Sequence, residues 1–244
     1  VTEWTSKIKS VAARWSATPA AIWNVGVIWD DVPNPCALEF ANPTPERIYS
    51  NIVFNTDIGI NHDAYLSAFD TAGIKVLLSF EPGDADPKTI IDLILLKFQA
   101  HSCVIGILMD TEWYKSRTSR DGARVTDALA QDWESRVKSY NPNYRLALKH
   151  WDKSHLPPSY RSNIIFAYDG QQFSGLSAMV SDFSSNFASA FPSNDIWVQI
   201  CYPDDKSWWS KLTDPVTDIG NALRVQCPQT NGVFWVDFSF KDYR

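Results

Sequence analysis

The chain has 244 residues, 45% of them apolar and 20% charged, with a formal net charge of −6. Its 11 Trp, 9 Tyr and 13 Phe allow a sizeable core and exclude a disordered chain, and the longest apolar stretches (90–96 and 104–109) fall well short of the roughly 18 residues that cross a bilayer. The acidic balance, 28 Asp and Glu against 22 Lys and Arg with no basic stripe, speaks against a nucleic-acid partner, which is held by clustered cations.

Taken in chain order, short β-branched and aromatic runs near 24–29, 51–55, 75–80, 104–109, 144–149, 163–168, 195–201 and 232–238 predict eight strands. Helical patterns lie between most of them, at 63–72, 87–100, 120–140, 175–191 and 207–224. In the second of these, Ile90, Ile91, Ile94, Leu95 and Phe98 recur at spacings of three and four, Asp86 can cap the first turn, and Pro87 sits where a missing N–H costs nothing. Strand starts recur about every thirty residues, the size of a βαβ unit. Eight such units predict an α/β fold, a (β/α)8 TIM barrel spanning 1–244 as a single domain. No G-x-G-x-x-G follows the first strand, so a dinucleotide-binding open sheet gains no support. Only six residues follow Phe238, so the last helix should be short or missing, and Pro157 and Pro158 make a poor helix after the fifth strand.

Cys36, Cys103, Cys201 and Cys227 form no C-x-x-C or Cys/His cluster, which removes zinc and thioredoxin-like chemistry; they allow up to two disulfides, or none. The chain begins at Val1 with neither an initiator Met nor a signal peptide, which fits a processed secreted protein as well as a trimmed chain; export is the expectation.

In a barrel the chemistry sits at the C-terminal ends of the strands. The residues there are Asp30 and Asp31, Asn55 and Asp57, Glu81, Asp110 and Glu112, Lys149, His150 and Asp152, Tyr168 and Asp169, Gln199 and Tyr202, and Trp235 and Asp237. Strand ends are polar simply because they meet water, yet this rim is richer in carboxylates than packing requires. The sharpest pattern is 106–113, where Leu108, Asp110 and Glu112 share one face by the period of two. Facing inward, the two carboxylates would stand about 7 Å apart above an apolar plug, and desolvation with like charge would leave one of them protonated near neutral pH. That is the state a general acid needs, although Asp-x-Glu is also common at the start of solvated loops. Ser79 and His150 lack the G-x-S-x-G elbow of a nucleophilic triad, and His62, His101 and His155 read as single surface histidines. Asp30, Asp57 and Glu81 could bind a divalent cation, but acidic rims in such barrels are common without one, so no metal is expected.

Here the chain resembles the glycoside hydrolase family 18 barrels, which include chitinases and endo-β-N-acetylglucosaminidases. Their fourth-strand pattern D-G-x-D-x-D-x-E is matched at Gly106, Asp110 and Glu112; the Ser79 and Gly83 region resembles their third-strand S-x-G-G, 166–169 their M-x-Y-D, and 232–237 their eighth-strand G-x-x-x-W. Ile105 and Leu108 replace the first two aspartates of the pattern. The resemblance implies retaining, substrate-assisted hydrolysis of an N-acetylhexosamine polymer or glycan. In it Glu112 protonates the glycosidic oxygen, Asp110 orients the attacking 2-acetamido group, Tyr168 bonds its carbonyl, Asp169 contacts the sugar, and Trp235 floors the ring. Glu81, Gln199, Tyr202 and Asp237 complete the expected substrate-binding rim. With the inner aspartate gone, Asp110 should remain ionised more readily than in the family.

Larger family members carry an extra α+β domain after the seventh strand, whereas only 203–206 separate that strand from the next helix, which implies an open groove. Trp208 and Trp209 at that helix either extend the groove or pack inward. The expected partner is a carbohydrate, bound by a monomer without cofactor. Two other readings remain open: a catalytically silent carbohydrate-binding or inhibitor barrel, and a lysozyme-like muramidase pairing Asp-x-Glu with Asp237 or Asp30.

Overall fold

A computed structural model describes residues 1–29 and 34–240. Asp30 and Asp31 of the expected rim lie outside the described residues. Nine strands form one sheet: β1 (Ala20–Ile28), β2 (Cys36–Leu38), β3 (Ile52–Phe54), β4 (Lys75–Phe80), β5 (Val104–Asp110), β6 (Arg145–Lys149), β7 (Ile165–Tyr168), β8 (Ile196–Ile200) and β9 (Thr230–Trp235), in the order β3-β2-β1-β4-β5-β6-β7-β8-β9. The strands β1 and β4 to β9 are paired in parallel.

The helices are α1 (Thr2–Arg14), α2 (His62–Ala72), α3 (Pro87–Phe98), α4 (Asp127–Tyr140), α5 (Leu176–Asp182), α7 (Pro215–Gln226) and the one-turn α6 (Lys206–Trp209) and α8 (Asp237–Phe240). As expected, the Asp86 carboxylate accepts from Thr89 N–H and starts α3, whose stripe of Ile90, Ile91, Ile94, Leu95 and Phe98 is fully buried. The pattern at 120–140 yields a helix only from Asp127, because Asp121 and Gly122 take left-handed φ angles of 58° and 85° that a helix cannot contain. The pattern at 175–191 leaves α-geometry after Asp182, through a wide turn over Phe183–Phe187. The one at 207–224 breaks before Pro215, where Asp214 caps a new start by accepting from Thr217 N–H. The helix α1 lies outside every predicted segment; Arg14 ties it to Asp214 at 2.8 Å.

One expectation about the sheet is corrected. The second predicted strand does form, as β3, but at the outer edge of the sheet rather than between β1 and β4. The reason is β2, a buried Cys-Ala-Leu too short to register as a strand signal. It folds back antiparallel on the second half of β1, pairing Gly26 with Leu38 and Ile28 with Cys36, and takes β3 on its far side. Asn55 and Asp57, which follow β3, are therefore separated from the end of β4 by β2 and β1. The predicted α/β class holds at the level of a mixed α/β fold with a mostly parallel nine-stranded sheet; among the described residues no hydrogen-bonded ladder joins β9 to β1.

Alternate residues separate into a large outer core under the helices and a small inner cluster of Leu77, Leu108, Ala147, Ile165, Ala167 and Trp197, joined by Ile22 from β1 and Phe234 from β9. First and last parallel strands thus reach the same inner cluster. One residue sets the phase of β5. Gly106, at φ 149°, sits where the register with β4 slips, and a Cβ there would overlap the Arg145 carbonyl oxygen. From Gly106 onward Leu108 points inward and Ile107 and Met109 outward. All four cysteines are free thiols, and all are buried.

Candidate active site

Four neighbouring parallel strands deliver the site from their C-terminal ends. Glu81 directly follows β4, Asp110 ends β5, Lys149 ends β6 and Asp169 directly follows β7; Glu112 lies in a single 3-10 turn, Thr111–Trp113, two residues beyond Asp110. Asp110 and Lys149 are register partners, which brings their side chains together. The Lys149 ammonium sits 2.6 Å from Asp110 Oδ2 and 2.7 Å from Asp169 Oδ2. Oxygens of Asp110, Glu112 and Asp169 lie within 4.8 Å of one another, and Glu112 N–H donates to Asp110 Oδ1 at 3.3 Å. Glu81 is anchored by accepting from Ile28 N–H at 3.0 Å, which ties the end of β1 to the cluster.

Three carboxyl groups around one ammonium cannot all ionise cheaply. Burial, then the neighbouring Asp169 and Asp110, pushes Glu112 up to about 8. Burial raises Asp110 to about 7, with Lys149 pulling the other way and Asp169 adding to the rise. Burial also raises Glu81, against the Ile28 hydrogen bond and Lys149. Lys149 is desolvated too, but the surrounding carboxylates outweigh this and raise it well above the usual lysine range, so it stays charged. At neutral pH the site holds a fixed cation and a retained proton side by side. Asp169 Oδ1 is buried without a hydrogen-bond partner. By distance Asp110, Glu112 and Asp169 could hold a divalent cation. Lys149 already bonds two of the three, so the donor set suits an ammonium and a proton better.

Gln199, on β8, accepts from the Tyr202 hydroxyl at 3.0 Å, and Tyr202 is 8% exposed. Burial and the charges of Asp169, Asp110 and Glu112 raise this phenol and keep it neutral, although Lys149 opposes them. Tyr202 therefore lies in the field of all three carboxyl groups of the cluster.

Two expected site residues are placed elsewhere. Tyr168 occupies an outward position of β7, 1% exposed among Phe183 and Phe187, and donates to Asp182 Oδ2 at 2.5 Å. The period of two explains this placement: Asp169 faces inward, so its predecessor faces the helices. For the same reason Phe234 joins the inner cluster while Trp235 packs outward against Trp209 and Phe240, with its indole N–H donating to Ser239 Oγ at 2.8 Å. Asp237 begins α8 and is exposed. Trp209 is buried, donating to the Tyr202 carbonyl oxygen at 2.8 Å. The exposed aromatics past strand ends are instead Trp29 after β1, Trp151 after β6 and Phe238 after β9. Trp151 contacts the His150 ring, and Phe238 the Tyr202 ring. Nor are the histidines uniformly surface groups: His62 is buried and accepts from Trp23 Nε1–H at 2.9 Å, and His150 is fully buried.

Lys149 is the site residue whose role sequence reasoning missed. It was legible as a strand-end residue, and its spacing of two from Ala147 places it on the inner face. What the sequence alone hides is that β5 and β6 are in register at Asp110.

Compared with known proteins, the chain matches no family model and no curated relative. Among solved structures it is similar to a β-glucuronidase from an uncultured Clostridium sp., at 7% identity and a TM-score of 0.47, over 75% of this chain and 36% of that one. The chain thus spans just over a third of that protein's length. The resemblance to family 18 rests on the strand motifs alone.

Proposed function

We propose that the chain is a glycoside hydrolase acting on an N-acetylhexosamine-containing polysaccharide or glycan, with Glu112 as general acid. The observation that carries this reading is the retained proton: a carboxyl raised to about 8, beside an inner carboxyl and a fixed ammonium, at the mouth of the strand ends. A group of that acidity protonates a leaving oxygen at neutral pH.

In this reading Glu112 donates its proton to the glycosidic oxygen while the substrate's own 2-acetamido oxygen attacks the anomeric carbon. Asp110, steadied by Lys149, accepts from the acetamido N–H and offsets the developing positive charge. Tyr202 takes the part that the motif pattern gave to Tyr168, offering a neutral phenol beside the cluster. Water then opens the oxazolinium, with Glu112 as base. The exposed indoles of Trp29 and Trp151 and the ring of Phe238 supply stacking faces for neighbouring sugars, in place of Trp235, which packs against Trp209 and Phe240.

The test is release of reducing ends from chitin oligomers, N-glycans and peptidoglycan by the wild type and Glu112→Gln. The expected result is turnover of acetamido sugars, blocked by a thiazoline analogue and abolished in the variant. Turnover of a substrate without a 2-acetamido group would replace substrate assistance by an enzyme carboxylate, with Asp169 the candidate. Binding without turnover in both proteins would refute the hydrolase.

A further inference from the structure

We propose that His150 is a positioning residue for the general acid, acting through the Asp121–Gly122 turn that it holds against the backbone of Thr111 and Glu112. The inference rests on the reading of Glu112 given above. His150 directly follows Lys149, is fully buried, and continues the strand by donating its backbone N–H to the Ala167 carbonyl oxygen at 3.0 Å. Its Nδ1 accepts from Asp152 N–H at 2.8 Å, which leaves the ring proton on Nε2. That proton is donated to the Asp121 carbonyl oxygen, also at 2.8 Å. Both nitrogens are thereby used in the neutral form, and a flat stack against His155, with ring centroids 4.4 Å apart, fixes the plane of the ring.

What His150 holds is a turn with no slack. Asp121 and Gly122 both lie in the left-handed region, and a Cβ on Gly122 would overlap the Thr111 carbonyl oxygen and stand 2.9 Å from that of Glu112. Only glycine permits this approach. The segment is closed on itself by Ala123 N–H donating to the Tyr114 carbonyl at 2.6 Å. The first residue of the acid's own turn is pinned separately, with Thr111 Oγ1 donating to the Lys149 carbonyl at 2.7 Å. Glu112 stands in a one-turn element outside the sheet ladder, and beside its own N–H bond to Asp110 Oδ1 and the Lys115 N–H bond to the Gly83 carbonyl, its backbone is held by these two straps from the end of β6. One strap comes from Lys149 itself, and the other from the next residue through its imidazole. The same two residues therefore set the charge beside the acid and the place of the acid.

The test compares His150→Phe, which keeps the ring and loses the donor, with His150→Gln, whose side-chain amide can still reach the Asp121 carbonyl, and with Gly122→Ala, which leaves His150 intact and displaces the turn. The expected result is that His150→Phe and Gly122→Ala each lower kcat about tenfold to a hundredfold, with KM for a short oligosaccharide within about twofold. The alkaline limb of the pH–rate profile should move down in both, and His150→Gln should restore most of the rate. A merely structural histidine would lower thermal stability without moving that limb. An unchanged alkaline limb and kcat in His150→Phe and Gly122→Ala, in an active enzyme, would overturn the proposal. Carbon-13 NMR titration of Glu112 in the same proteins separates this failure from that of the hydrolase reading. A lower Glu112 midpoint in both variants supports the brace even if no sugar is cleaved, and an unmoved midpoint overturns it. Should His150→Phe fail to fold, Gly122→Ala carries the same two readouts.

Discussion

Replacing Glu112 by Gln should make the protein more stable and inactive at once, and the gain should depend on pH. The folded-state carboxyl titrates at about 8 against an ordinary 4.5, so between these values the folded chain keeps a proton that the unfolded chain has released. With the folded pKa raised, stability falls as pH rises through that window. At pH 7 the unfolded chain has gained about 1.4 kcal/mol for each pH unit above 4.5, an upper bound of about 3.5 kcal/mol, and proton sharing with Asp110 reduces this to about 2–3 kcal/mol. Glutamine is shaped like the protonated acid but has no proton to lose, so the variant escapes this penalty. Urea denaturation of both proteins from pH 4.5 to 9 should give coincident stabilities at the acid end, a gap widening towards pH 8, and a plateau above it. Equal gaps at pH 5 and pH 8, or one that narrows as pH rises, would refute the claim that Glu112 holds its proton against the solvent.

Lys149→Met should cost about 3–5 kcal/mol at pH 7, because Asp110 and Asp169 lose their shared counter-ion, and less near pH 4, where the raised Asp110 carboxyl keeps its proton; chemical denaturation at the two pH values measures this. Gly106→Ala should destabilise by more than about 3 kcal/mol, through a forbidden φ and overlap with the Arg145 carbonyl, read as a drop in Tm or loss of soluble protein. Trp151→Ala, at a side chain 46% exposed, should leave Tm and the turnover of short oligosaccharides unchanged while raising KM for a polymer several-fold.

Where the sequence carried enough information, periodicity was the reason. The stripe of α3 and its Asp86 cap could be read directly, and the alternation through Leu108 and Asp110 told inner from outer face on β5. The same alternation on β7 and β9 turns Tyr168 and Trp235 outward, whereas the family pattern points both at the site; the period of two sets their direction. Pairing was less legible. Three residues of β2 divert β3 to the outer edge, and nothing in a three-residue apolar run distinguishes a strand from a turn. Lys149 was visible as a strand end, but its bonds to two carboxylates depend on the registers of β5, β6 and β7, which are tertiary facts.

Across the β6–β7 ladder, the residue opposite Lys149 is Ala167, a single methyl group, 1% exposed. The lysine stem lies beside the smallest side chain able to fill that place and still leave it free to lean towards carboxylates on both flanking strands. A bulkier apolar residue at 167 would compete for this volume and tilt the ammonium away from one of its two anions, altering how strongly the neighbouring acid keeps its hydrogen. The working pH of the centre can thus drift through one aliphatic position, with every charged group left in place.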